Sequence, residues 1–143
     1  MVEKVLSFII NGNAFGIKVK LIREVNKNVE YTIVPGSKEY IAGLFNMRGQ
    51  IVTLFSLAKL LGLQDESGGE NTCVILKASA NDPNQYGFLI DELGDVIDID
   101  AERCEAPPAN VVGIECGYFS SVVKLEDRLL IVLDPEVIYR QSI

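Results

Sequence analysis

The sequence predicts a mostly β protein made of two small β-barrels or sandwiches packed together. Three observations predict it: apolar runs of strand length bounded by Gly-, Pro- and Asn-rich turns, an internal repeat, and a scarcity of helical periodicity. The 143 residues hold one ordinary domain or two very small ones that share a core. Hydrophobic residues make up 48% of the chain, which is ample for a packed interior.

In chain order, an apolar strand over residues 5–10 ends at the turn Asn11-Gly12-Asn13, and Phe15-Gly16-Ile17-Lys18-Val19 returns from it. Val19, Ile22 and Val25 lie three apart, a spacing that strict strand alternation does not give, so part of the stretch Leu21-Ile22-Arg23-Glu24-Val25 must bend or turn helical. Residues 41–57, IAGLFNMRGQIVTLFSL, form the strongest hairpin: two apolar runs flank a polar tip of Asn46, Arg48, Gly49 and Gln50. Gly49 supplies the backbone freedom of the tip. Arg48 sits at the end of a stiff element, its planar guanidinium able to bind a carboxylate or carbonyl bidentately. A hairpin that presents one arginine suits recognition better than catalysis.

Residues 56–62 predict a short helix, with Leu57, Leu60 and Leu61 on one face, Ser56 as N-cap and Gly62 as the stop. Residues 64–71 read as a flexible loop, Cys73 to Leu76 as a strand, Asn81-Asp82-Pro83-Asn84 as a turn, and Ala106-Pro107-Pro108-Ala109-Asn110 as a rigid extended connector. A strand over 129–133 precedes a second helix over 135–142, with Asp134 as N-cap and Pro135 in its first turn.

Two echoes make the repeat. Phe15-Gly16-Ile17-Lys18-Val19, followed by Ile22, Glu24 and Val25, matches Tyr86-Gly87-Phe88-Leu89-Ile90, followed by Leu93, Asp95 and Val96. Residues 49–60 match residues 127–138 in the same way, each a turn, a strand, a polar or Pro break and a helix-like segment.

Composition excludes several function classes. The net charge of −7 opposes binding to nucleic acid or an anionic membrane, both of which are held by Lys and Arg. Histidine is absent, which removes Ser-His and Cys-His nucleophiles and the usual zinc sites. Cys73, Cys104 and Cys116 show no CxxC spacing and read as buried reduced thiols, so no metal and no cofactor is expected. No apolar run approaches the ~20 residues of a membrane span. The N-terminus, MVEKVLSFII, lacks a cleavage pattern and reads as the start of a cytoplasmic protein. The carboxylates Asp91, Glu92, Asp95, Asp98 and Asp100 have no basic or aromatic partner nearby in sequence and read as a solvated acidic face, not acid–base machinery.

The order of features resembles the CheW family of chemotaxis coupling proteins. The matching pieces are VLSFIINGNAFGIKVKLIREV, TIVPGSKEYIAGLFNMRGQIVTLFSLAKLLG, YGFLIDELGDV and KLEDRLLIVLD, with GLFNMRGQIV the most specific. The resemblance implies two intertwined SH3-like five-stranded β-barrel subdomains with short helices, one at the C-terminus. It places the first barrel at 15–64 and the second at 1–14 plus 72–143, with the loop 64–71 between repeats.

The same resemblance implies a non-enzymatic scaffold linking chemoreceptor tips to the regulatory domain of a CheA-type histidine kinase, monomeric in isolation and recruited to membrane-associated arrays. The alternative is a structural coupler that fills receptor rings, or serves a specialised pathway, without engaging the main kinase. Carried over residue by residue, the kinase-facing patch is Leu6, Val19, Ile22 and Val25, and the receptor-coupling residues are Glu24, Asn46, Arg48 and Gly49. Leu6, Val19 and Val25 would serve equally as barrel core, and Glu24 as a solvated charge. Thr53, Ser56 and Ala58 depart from the family's pattern after the hairpin strand, and the stretch Tyr118-Phe119-Ser120-Ser121-Val122 lacks its usual glycine.

Overall fold

In a computed structural model, residues 2–63, 72–77, 84–100, 104–105, 110–111, 114–115 and 119–142 are described. The first two strands, β1 (Val2–Ile10) and β2 (Asn13–Lys18), form a hairpin whose turn is Asn11-Gly12. A 3-10 turn over Val19–Leu21 then leads into β3 (Ile22–Asn26). The hairpin of β4 (Ile41–Met47) and β5 (Gln50–Ser56) runs into the one-turn helix α1 (Leu57–Leu60). β6 (Thr72–Leu76), β7 (Gln85–Ile90) and β8 (Glu92–Asp100) follow, then the two-residue strands β9 (Cys104–Glu105), β10 (Asn110–Val111) and β11 (Ile114–Glu115). β12 (Phe119–Lys124), β13 (Leu129–Leu133) and helix α2 (Pro135–Ser142) complete the chain.

The strands form two main sheets, ordered β3-β6-β7-β5-β4 and β8-β1-β2-β13-β12-β9, besides the small β10-β11 pair. Without the short β9 the two sheets have five strands each, in equivalent order. Each is stitched by one parallel pair, and the registers coincide with the repeat: Gly87 lies opposite Leu54 where Gly16 lies opposite Val132. The equivalent glycines do equivalent work. A Cβ on Gly16 would stand 2.5 Å from Val5, and one on Gly87 2.8 Å from Ile75.

This pairing corrects the expected division of the chain. Residues 72–90, expected in the second barrel, supply β6 and β7 to the sheet of β3, β4 and β5, while β2, expected at the start of the first barrel, lies in the other sheet. The reason is reciprocal exchange. The β1–β2 hairpin of the first repeat inserts between β8 and β13 of the second, and β6–β7 inserts between β3 and β5. A sequence repeat marks copies of a unit, not which copy pairs with which.

Exchange makes the core common property. Phe8, Ile10, Phe15 and Ile17 from one sheet pack with Phe55, Val74, Leu76, Phe88 and Ile90 from the other in a single cluster. Two smaller clusters serve one sheet each, around Val5, Leu130 and Val132, and around Val52, Leu54 and Ile75. Both helices seal the shared cluster: α1 through Leu57 and Ala58, α2 through Ile138. Tyr139 of α2 stacks on Tyr86 at 4.1 Å. The expected caps are present, with Ser56 Oγ accepting from Lys59 N–H and Asp134 Oδ1 from Val137 N–H.

The equivalent edge strands β3 and β8 kink at the same place in the repeat. The register of β3 against β6 shifts between Ile22 and Glu24, and that of β8 against β1 shifts between Leu6 and Phe8, where Gly94 and Asp95 oppose Ser7. The extra residue lets Ile22 and Val25, three apart, both pack against the shared core. With the preceding 3-10 turn, this is the bend the spacing predicted. Cys73 is buried, as expected; Cys116 and the side chain of Cys104 lie outside the described residues, as do the loop 64–71 and most of the connector 106–110.

Candidate functional site

β3 and β4 are opposite edges of the five-stranded sheet, yet side chains join them, because the sheet curls until its edges meet. Three contacts make the seam. Arg48 Nη2 donates to Glu24 Oε2 at 2.8 Å, Arg23 Nη1 donates to Gln50 Oε1 at 3.1 Å, and the Asn26 amide lies 4.0 Å from Met47 Sδ. Glu24 and Arg48, which the resemblance grouped as coupling residues without any contact between them, are one ion pair.

The tip itself is a two-residue turn between Met47 and Gln50, with φ of 51° at Arg48 and 87° at Gly49. Asn46 Oδ1 accepts from Gly49 N–H at 2.9 Å and holds the turn closed. The hydrogen bond from Arg48, then that from Asn26, holds the Glu24 carboxyl below its ordinary range, and Glu24 raises Arg48 in turn. Two-thirds of the Arg48 side chain is still exposed, at 66%.

On the same strand and the turn before it lies an apolar strip. Val19 is exposed on the 3-10 turn, and Ile22 and Val25 are half-buried against the shared core. Leu6 is different. It is buried in that core at 8% exposure, so its side chain packs the fold and offers little to a partner. Leu21, exposed beside Val19, was not singled out from the sequence, although an apolar residue inside a predicted bend was a signal for it. Asn26 was also missed. Its place two residues after Glu24 on a strand, hence on the same side, was the available signal.

Among the described residues no group of three or more His, Cys, Asp or Glu is placed to hold a metal ion. Burial pushes the Cys73 thiol up to about 12, far from a reactive thiolate. No helix among the described residues is long and apolar enough to cross a membrane.

The family model of the CheW-like domain matches residues 4–142. The chain belongs to that family. It is 30% identical over 136 residues to the chemotaxis protein CheW of Bacillus subtilis, covering 95% of this chain and 86% of the relative. It is also 30% identical over 137 residues to chemotaxis protein CheW of Helicobacter pylori, covering 96% and 81%. Among solved structures, the scaffolding protein TtCheW from Thermoanaerobacter tengcongensis superposes with a TM-score of 0.84 at 26% identity, covering 94% of this chain and 85% of that one. The paired, intertwined β architecture is thus the CheW fold, and the protein is a CheW-type chemotaxis scaffold.

Proposed function

We propose that this chain is a non-enzymatic coupler that binds the regulatory domain of a CheA-type histidine kinase through Val19, Ile22 and Val25, and the cytoplasmic tips of chemoreceptors through Arg48 and its surroundings. The observation that carries the reading is the seam: one curled sheet places an apolar strip and an ion-paired arginine on the same strand, β3, and its partner hairpin tip. An apolar strip excludes water from a protein partner, and a fork-shaped cation on a rigid tip supplies direction. Such a pair of contacts suits joining two proteins and gives no group a reaction to perform. The protein is a monomer by itself and is recruited to receptor arrays by these contacts.

The test is co-purification with a CheA-type kinase followed by calorimetry on Ile22→Asp. The charge should weaken kinase-domain binding by about 2 kcal/mol or more while the protein stays folded, as expected of a residue at the centre of an interface. Unchanged affinity in a folded Ile22→Asp protein removes the strip from the interface, and no co-purification of the wild type removes the kinase.

A further inference from the structure

Asn26 has no place in the coupling site as drawn from the sequence, yet its amide contacts both sides of the seam. Its Nδ2 donates to Glu24 Oε1 at 3.0 Å and lies 4.0 Å from Met47 Sδ at the base of the tip. Glu24 spends its two oxygens differently: Oε1 takes the Asn26 donor and Oε2 takes Arg48 Nη2. A glutamate on an edge strand has three rotatable bonds, and a second anchor is what fixes which way its carboxylate faces.

We propose that Asn26 is a positioning residue of this site: it anchors Glu24 so that the carboxylate compensates Arg48, and the compensated arginine selects an uncharged hydrogen-bond acceptor on its partner over a carboxylate. The chemistry follows from counting donors. A guanidinium has five N–H groups, and the contact with Glu24 uses one oxygen of one carboxylate. The side chain remains 66% exposed, so donors are left for a partner. The charge, however, is already met. An incoming carboxylate would face Glu24 as well as Arg48 and gain little, whereas an amide or backbone carbonyl takes the spare donors without that repulsion.

The surroundings do not alter this balance. The charged groups facing Glu24 are Arg48 from the hairpin tip and Arg23 from its own strand, and Arg23 is engaged with Gln50. Cys73 on β6 faces it as a neutral thiol. Gly49 N–H is taken by Asn46 Oδ1, so that donor of the tip does not compete with Arg48 for a partner.

The inference rests on the receptor reading above for its partner, but its first half is testable on the free protein. NMR titration of the Glu24 carboxyl should show a rise toward the ordinary range in Asn26→Leu, and a recovery in Asn26→Gln, which keeps the amide. An identical Glu24 titration in wild type and in folded Asn26→Leu overturns the positioning role.

The second half uses a purified chemoreceptor cytoplasmic hairpin fragment as probe. Asn26→Leu should bind it about fivefold more weakly, the scale of one hydrogen bond. The double variant Glu24→Gln/Arg48→Ala removes both charges. Its affinity should fall with salt, between about 50 and about 300 mM, with the same slope as the wild type. A wild-type slope clearly steeper than that of the double variant means that Arg48 meets a carboxylate, and the selection is wrong. A wild type that binds no receptor fragment refutes the receptor reading and the selection with it, while the Glu24 titration still decides the role of Asn26.

Discussion

Two turns in this molecule have the same backbone and opposite logic. Asn11-Gly12 joins β1 to β2 with φ of 51° and 78°, and Arg48-Gly49 joins β4 to β5 with φ of 51° and 87°. Both are two-residue hairpin turns that demand positive φ at each central position. Asparagine-glycine is what such a turn prefers; arginine at its first position is not, because a long L side chain in the left-handed region is strained. The first turn is filled for the sake of the backbone. The second is filled for the sake of a side chain, which crosses the barrel seam to Glu24. A residue that fits its local structure poorly and meets a distant partner well is the better functional candidate.

The glycines should break the two turns equally. Gly12→Val and Gly49→Val place a β-branched residue at φ of 78° and 87°, and each should cost about 1–2 kcal/mol by denaturant unfolding. Only the Gly49 variant should also lower receptor-dependent kinase activation in a reconstituted array. Equal coupling loss in both would mean that stability, not the tip, governs activity.

Exchanging the arginine separates fit from function more finely. Arg48→Asn relieves the turn, because asparagine tolerates the left-handed region better, and loses an exposed ion pair of little worth, so the melting temperature should hardly move while coupling falls. Arg48→Ala should likewise melt close to wild type and lose coupling. Arg48→Lys should restore only part, keeping the charge without the planar fork. If Arg48→Ala melts well below wild type yet activates the kinase normally, Arg48 is structural and the contrast between the turns fails.

The smallest effect is on pH. Glu24 is held below its ordinary value in the folded state, so the stability its pairing contributes is present in full above the unfolded carboxyl value and is lost as pH falls through the folded one. The stability difference between wild type and Glu24→Gln should therefore shrink and vanish on acidification. A difference that is constant from neutral pH down through the carboxyl range would mean that the pair with Arg48 does not form in solution.

Local features carried most of the legible information. The β1–β2 and β4–β5 hairpins, the caps of both helices and the bend after Val19 follow from turn chemistry, capping residues and spacing, each decided within a few residues. The family signature around Arg48 was legible for the same reason, since it is contiguous. The pairing of Glu24 with Arg48 was not, because it depends on two edges of one sheet meeting after the sheet curls. The placement of Leu6 was not either. On a strand buried from both sides, core and interface residues have the same composition, and only the layer packed against them tells the two apart.

By itself, then, the sequence determined the strands, their turns, the repeat and the family. Strand identity is a short-range matter of alternation and punctuation, and a repeat is visible wherever two stretches share it. The tertiary structure decided which copy of the repeat pairs with which, and it did so by exchanging the β1–β2 and β6–β7 hairpins so that each barrel is completed by the other's strands. The physical reason is burial: exchanged hairpins turn their large residues, Phe8, Phe15 and Phe88, into one shared core that two separate barrels of this size would have to build twice.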